Sequence, residues 1–233
     1  MRISGLQKMT LLDYPGKIAC TVFLGGCNFH CPFCHNGELL DSGAETIMEE
    51  QELLEFLSKR RGLLDAVCIS GGEPTLQKDL ATFLGKIKQL GYLIKLDTNG
   101  SRPEVLKSLT ERNLLDYVAM DIKNAPERYA MTAGAAVQLE RIEESIRFLL
   151  EDSVDYELRT TVVAQLHDAA SIARMGEWVT SLASGKKAKR WFVQPFADRE
   201  TVLFAGLSAP EDAKLAEFSG ILGCYSLESS LRG

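Results

Sequence analysis

Two hydrophobic rhythms alternate along the chain. Short apolar, β-branched runs recur at Ile18–Leu24, Ala66–Ser70, Leu93–Asp97, Tyr117–Ile122, Glu157–Val163 and Trp191–Gln194. Each has about the length of a buried parallel strand. Segments with apolar residues at helical spacing lie between them. Thr46-Ile47-Met48-Glu49 has the capping-box pattern and leads into Leu53, Leu54 and Leu57. Leu80, Leu84, Ile87 and Leu90 share one face of a helix predicted over Leu76–Leu90, with Gly91 placed to end it. Pro103 opens the next helix at a first-turn position. Further helices are predicted over Gln138–Leu150, Ala169–Leu182 and Pro210–Leu222.

These make six strand–helix units, so parallel strands joined by right-handed crossovers follow. The architecture is α/β, either an open doubly wound sheet or an incomplete barrel, and periodicity does not choose between them. Either way the active site belongs at the C-terminal ends of the strands. Chemistry-bearing residues gather there: Gly25-Gly26-Cys27 after the first run, Ser70-Gly71-Gly72-Glu73-Pro74 after the second, and Asp97-Thr98-Asn99-Gly100 after the third. Asp121 and Lys123 end the fourth, and Arg159 lies in the fifth.

Composition narrows the class. The chain has 233 residues, 45% hydrophobic and 25% charged, with a formal net charge of −6. That balance argues against a nucleic-acid scaffold. No apolar run approaches the roughly 18 residues of a membrane span, and the first residues form no signal-peptide stretch. A cytoplasmic protein with no nucleic-acid or membrane partner is expected. Without repeats or a Pro/Ser-rich linker, residues 1–233 read as one domain with 1–17 as a lead-in.

Of the six cysteines, at 20, 27, 31, 34, 68 and 224, four fall within the first 34 residues. A disulfide scaffold would spread them through a short secreted chain. The cluster reads Cys27-Asn28-Phe29-His30-Cys31-Pro32-Phe33-Cys34-His35. Cys31 to Cys34 is a CxxC as in thioredoxin-like proteins, but that fold is shorter and has no use for Cys27. Cys31 to His35 spells the c-type haem pattern, which requires export. Three thiolates with His30 or His35 would suit a zinc-bound interaction module. Three thiolates could also hold an iron–sulfur cluster with one iron left open, which marks a catalytic site. Cys20, Cys68 and Cys224 read as structural.

The CxxxCxxC spacing, with Phe33 before its last cysteine and Gly71-Gly72-Glu73-Pro74 downstream, resembles the signature of the radical S-adenosylmethionine superfamily. The resemblance implies an incomplete (β/α)6 barrel, a [4Fe–4S] cluster on Cys27, Cys31 and Cys34, and S-adenosylmethionine on the open iron. It implies that Phe33 shields the cluster, that Gly71 and Gly72 let the backbone approach the cofactor, and that Glu73 accepts from its ammonium.

Asp97-Thr98-Asn99-Gly100 with Asp121-Ile122-Lys123 is similar to the corresponding elements of glycyl-radical-enzyme activases. By that similarity Asp97, Thr98, Asn99 and Asp121, with the Ala119 carbonyl, bind the cofactor or a monovalent cation. Lys123 approaches the cofactor or the substrate peptide, and Arg159 contacts the cofactor. Some activases place a histidine near the end of the sixth strand; here Gln194 stands in that stretch.

The lead-in from Gly5 to Lys17 resembles the activating proteins of anaerobic ribonucleoside-triphosphate reductases. No cysteine lies between His35 and Val67, which excludes a ferredoxin-like insert there. The implied activity is reductive cleavage of S-adenosylmethionine to a 5′-deoxyadenosyl radical, which takes a hydrogen atom from a glycine of the partner. A flavodoxin- or ferredoxin-type protein would supply the electron. The alternatives are a pyruvate formate-lyase type partner, or a peptide or small molecule.

Two segments read as loops. Asn124–Ala136 faces the substrate by position, and Lys186-Lys187-Ala188-Lys189-Arg190 is a solvated basic run.

Overall fold

The computed structural model describes residues 1–232 and divides the chain into two compact units. One comprises Met1–Asn28, Glu38–Thr98 and Glu104–Val118; the other comprises Phe29–Gly37, Asn99–Pro103 and the chain from Ala119 onward. The elements run β1 (Arg2–Ile3), β2 (Gly5–Thr10), β3 (Ala19–Leu24), β4 (Met48–Glu49), α1 (Glu50–Lys59), β5 (Ala66–Gly71), α2 (Leu80–Gln89) and β6 (Leu93–Thr98). Then follow α3 (Pro103–Glu111), β7 (Tyr117–Asp121), α4 (Pro126–Ala133), α5 (Leu139–Leu150), β8 (Asp155–Val162), α6 (Ala169–Ser181), β9 (Ala188–Pro195), α7 (Asp212–Gly223) and β10 (Ser226–Leu231).

In the first unit β3, β5 and β6 are parallel, and β2 adds antiparallel to β3. The side chains alternate between faces with the period of two that a strand imposes. Val22, Leu24, Val67, Ile69, Ile94 and Leu96 point to one face and are buried. Leu53 and Leu57 of α1 and Leu80, Phe83, Leu84 and Ile87 of α2 are buried with them. Each such side chain contributes about 1.5–3 kcal/mol when fully buried. The opposite face is apolar at its start, where Ala19, Ala66 and Leu93 stand in register, and carries polar residues further along. Thr21, Cys68 and Lys95 stand in register across β3, β5 and β6, and Ser70 and Asp97 follow two residues on. Tyr14, Ala19, Ala66, Cys68 and Tyr117 form a small apolar cluster, with the Tyr14 and Tyr117 rings 5.5 Å apart.

In the second unit β8, β9 and β10 are parallel. Trp191 is fully buried and its indole N–H donates to Thr160 Oγ1 at 3.0 Å. Arg159 pairs with Phe192 and Thr161 with Gln194 across β8 and β9, so these four share a face. Arg232 lies over the Phe192 ring at 3.7 Å and reaches the buried Glu157 carboxylate at 2.6 Å.

The predicted strands and helices are present, with informative differences at their ends. The helix expected to be capped by Thr46 begins at Glu50 instead. Glu49 and Glu52 form its capping box, while Met48 and Glu49 pair antiparallel with Ile3 and Arg2. The helix expected from Leu76 begins at Leu80, after a 3₁₀ turn over Pro74–Leu76. The basic run is not a free loop. Lys189 and Arg190 lie in β9 and both bond Asp155, at 2.5 and 2.9 Å, and Lys186 bonds Asp152 at 2.8 Å. Asn124–Ala136 is not a loop either, because α4 occupies most of it. Among the described residues no helix is long and apolar enough to cross a membrane.

Candidate active site

The residues expected at the site fall into two sets, one in each compact unit. In the first unit the end of β5 lies against the end of β3. Gly72 N–H donates to Leu24 O at 2.9 Å and Glu73 N–H to Gly26 O at 2.7 Å. Gly71 has φ +117, and a Cβ there would overlap Leu24; a Cβ on Gly72 would overlap the Gly26 carbonyl. Only glycine permits this approach. The loop leading to Cys27 is held from its other side, by Gly26 N–H to Leu39 O at 2.7 Å and Cys27 N–H to Leu40 O at 3.0 Å.

Glu73 is 1% exposed. Its Oε1 accepts from Thr75 N–H at 3.0 Å, Thr75 Oγ1 at 2.5 Å and Thr98 Oγ1 at 2.8 Å. These donors fix the carboxylate from its protein side and tie β5 to β6. Asp97 takes Lys95 Nζ on Oδ1 at 2.6 Å and Ser70 Oγ on Oδ2 at 3.2 Å.

In the second unit Cys31 and Cys34 sit on one turn, closed by Cys34 N–H to Cys31 O at 3.0 Å. The C-terminus of α4 holds this turn: His30 N–H donates to Ala133 O at 2.9 Å. Gly134 caps the helix with φ +62, and a Cβ there would overlap the His30 carbonyl. Phe33 is buried, and Lys123 Nζ lies 6.0 Å from its ring centroid. Asp121 accepts Lys123 Nζ on Oδ2 at 3.1 Å and Arg159 Nε on Oδ1 at 3.0 Å.

Asn99 is buried and its Oδ1 accepts from Ser101 N–H at 2.9 Å, a local turn of the kind asparagine favours. Helix α5 anchors that loop through Ser145 Oγ to Gly100 O at 2.7 Å and Arg141 Nε to Ser101 O at 2.8 Å. Gln194 stands opposite Thr161, diagonal to Arg159 on the same face.

Electrostatics marks the second set. Burial raises the pKa of both thiols, Cys31 and Cys34, while nearby Lys123 opposes that shift in each. Burial would also raise Asp121, but Arg159 and Lys123 outweigh it and hold the carboxyl down at about 2. Burial would lower Lys123, yet Asp121 and Cys31 more than compensate and raise it. Lys123 is therefore a fixed cation between a carboxylate and the two thiols.

The radical SAM superfamily model matches residues 21–167 of this chain. The chain belongs to the radical SAM superfamily. A relative from Methanocaldococcus jannaschii, assigned as a glycyl-radical enzyme activating enzyme, is 32% identical over 96% of this chain and 92% of its own length. The pyruvate formate-lyase-activating enzyme of Listeria monocytogenes is 32% identical over 55% of this chain, which spans about 56% of that protein. Among solved structures, a domain of the Bacteroides vulgatus pyruvate-formate lyase-activating enzyme superposes with a TM-score of 0.59 at 21% identity, over 72% of this chain and 99% of that one. Streptococcus suis SuiB bound to S-adenosylmethionine gives 0.68 at 14% identity, over 91% of this chain and 52% of that one. This radical SAM chain is an enzyme with the family's α/β fold, an incomplete (β/α)6 barrel, related to the glycyl-radical activating enzymes.

The family implies S-adenosylmethionine and a [4Fe–4S] cluster. Among the described residues no three His, Cys, Asp or Glu side chains converge as ligands of one metal ion. Fit to the cluster rests on donor type. Soft thiolates suit iron–sulfur sites. Cys31 and Cys34 lie on one turn, near enough for the Cys34 charge to raise Cys31. Left as thiols they stay protonated, and bound iron reverses that preference.

Sequence reasoning missed three contributors. Tyr129 is fully buried in α4 and its hydroxyl meets Asp121 O at 3.4 Å. His167 is buried; its Nε2 meets Lys123 O at 2.9 Å and its Nδ1 accepts from Val163 N–H at 3.1 Å. Lys95 is the third. Pro126 and Gly134 were a readable signal for α4, since proline opens helices and glycine closes them. A lone histidine and a mid-strand lysine carry no comparable pattern.

Proposed function

We propose that this enzyme activates a glycyl radical enzyme, and that its partner is an anaerobic ribonucleoside-triphosphate reductase. Lys123 carries this reading: its ammonium lies over Phe33, is paired with Asp121 and opposes the burial of Cys31 and Cys34. It links the cysteine loop to the Asp121–Lys123 element that the sequence shares with activases. The Gly5–Lys17 lead-in supports the choice of partner.

Cys27, Cys31 and Cys34 would hold the cluster, and with bound S-adenosylmethionine it supplies one-electron reductive cleavage of a sulfonium. The chain's own residues bind and orient. Glu73, already steadied by Thr75 and Thr98, presents a carboxylate to the cofactor's ammonium. Gly71 and Gly72 admit the cofactor to the backbone. Arg159, fixed by Asp121, serves its carboxylate, and Gln194 on the same face serves its ribose. Phe33 and Asn99, both buried, shield the site from water on their side. A flavodoxin- or ferredoxin-type donor in the cytoplasm supplies the electron. The monovalent cation stands apart, because the carboxylates it would use are already paired.

The test is anaerobic incubation of the cluster-loaded enzyme with S-adenosylmethionine, a reductant and each candidate partner, read by paramagnetic resonance. A glycyl radical on the reductase supports the proposal. A radical only on pyruvate formate-lyase moves the partner, and 5′-deoxyadenosine with neither partner activated points to a peptide or small molecule. A colourless, zinc-loaded protein forming no 5′-deoxyadenosine would overturn the reading.

A further inference from the structure

We propose that Lys95 supplies, from within β6, the positive charge that the resemblance to activases assigns to a monovalent cation at Asp97, so this chain works without one. The lysine is 1% exposed, and its Nζ lies 2.6 Å from Asp97 Oδ1, whose own side chain is 16% exposed. The other oxygen of Asp97 accepts from Ser70. An alkali ion exchanges its hydration shell for several oxygen ligands, and a carboxylate among them supplies the opposing charge. Here the main anionic ligand, Asp97, already has the Lys95 ammonium at contact distance. A second cation on that carboxylate would face the ammonium in a low-dielectric interior, where like charges repel far more than in water.

The surroundings of Lys95 favour an internal counter-ion. Its strand position is in register with Cys68 and, one strand further, Thr21. Thr21 Oγ1 donates to Asp13, and Cys68 feels the charges of Lys95, Asp97 and Asp13 together. Lys95 thus pairs directly with Asp97, and Asp13 adds a second carboxylate at Thr21, in the same cross-strand register. The second carboxylate of the expected cation site is likewise occupied in its own unit, since Asp121 accepts Arg159 and Lys123 on its two oxygens. Neither Asp97 nor Asp121 is left as a bare anion.

The inference goes beyond the activase reading and is read separately from it. The cluster-loaded enzyme is exchanged into buffer with tetramethylammonium as its monovalent cation. Binding of S-adenosylmethionine is measured there and in potassium, and thallium(I) is titrated as a potassium stand-in by thallium resonance without cofactor. The expected result is an affinity that differs less than about twofold between the buffers, and no saturable thallium binding. Lys95→Met should weaken cofactor binding by about tenfold or more in tetramethylammonium, because it strands Asp97, and potassium should restore it. Wild-type dependence on potassium, a saturable thallium site on wild type, an unaffected Lys95→Met, or a loss that potassium does not restore would each overturn the proposal. Should Lys95→Met fail to fold, the two wild-type measurements decide. Failure to bind the cofactor in either buffer would count against the activase reading, and the thallium titration would still decide this one.

Discussion

Arg159 Nε lies 3.0 Å from Asp121 Oδ1, and this pair is completed by Lys123 at 3.1 Å on the other oxygen. One carboxylate thus separates two cations whose side chains are each 14% exposed. Asp121→Asn would leave both cations with a neutral partner. The expected cost is about 3 kcal/mol, at the lower end for breaking a buried pair because Asp121 itself is partly exposed. Urea unfolding of the variant checks it. A midpoint equal to wild type would show that the pair contributes little.

His167 predicts a pH window. Burial lowers its pKa below the ordinary 6.5, and Nδ1 must stay unprotonated to accept the Val163 N–H. A histidine depressed in the folded state contributes stability that is complete above its unfolded pKa. Loss begins as pH falls below about 6.5 and runs down through the lowered folded value. Asp121 adds nothing in that window, since its own loss comes only between 3.8 and about 2. Stability of wild type should therefore fall between pH 6.5 and 5 relative to His167→Gln, which can donate and accept without titrating. Parallel pH profiles for the two proteins would remove His167 as the cause.

Gly134→Ala tests the support of the cysteine turn without touching a cysteine. The new Cβ would overlap the His30 carbonyl at a position with φ +62. We expect lost stability of more than about 1 kcal/mol and a reduced iron and sulfide content after reconstitution. Gly220→Ala in α7 is the control, because nothing lies within 4 Å of its Cβ. That change should stabilise by up to about 1 kcal/mol. Full cluster loading in Gly134→Ala would show that the turn holds itself.

Thr98→Val removes one of the donors on Glu73 while keeping shape. The Glu73 carboxylate is buried, so the expected cost is about 1–3 kcal/mol. Affinity for S-adenosylmethionine should fall with it, because the carboxylate loses its fixed direction. Calorimetric titration of the cofactor reads this, and an unchanged affinity would place Glu73 outside the binding step.

Much of the fold was legible because period two and period 3.6 are strong signals. Gln138 and Leu182 sit at the caps where the apolar pattern ends, and Gly91 follows α2 with positive φ. The misses are local. Thr46 fits a capping box, yet pairing of Met48–Glu49 with Arg2–Ile3 delays the helix to Glu50. Lys189 and Arg190 look like loop residues until Asp155 neutralises them within a strand. At the site the glycine-rich turns and charged strand ends were readable from composition. The pairings were not: Lys95 with Asp97 and His167 with the Lys123 carbonyl depend on which face and which loop the chain presents.

Helix α4 begins three residues after Lys123 and ends against His30, the neighbour of Cys31. Its eight residues span about 12 Å at 1.5 Å each, so it acts as a ruler between the lysine and the cysteine turn. Removing one residue would shorten that gauge by about 1.5 Å and rotate Gly134 about 100° away from His30. Loops elsewhere can drift in length at little cost. This segment cannot, and homologous chains that keep the same chemistry should keep its residue count even where its sequence changes.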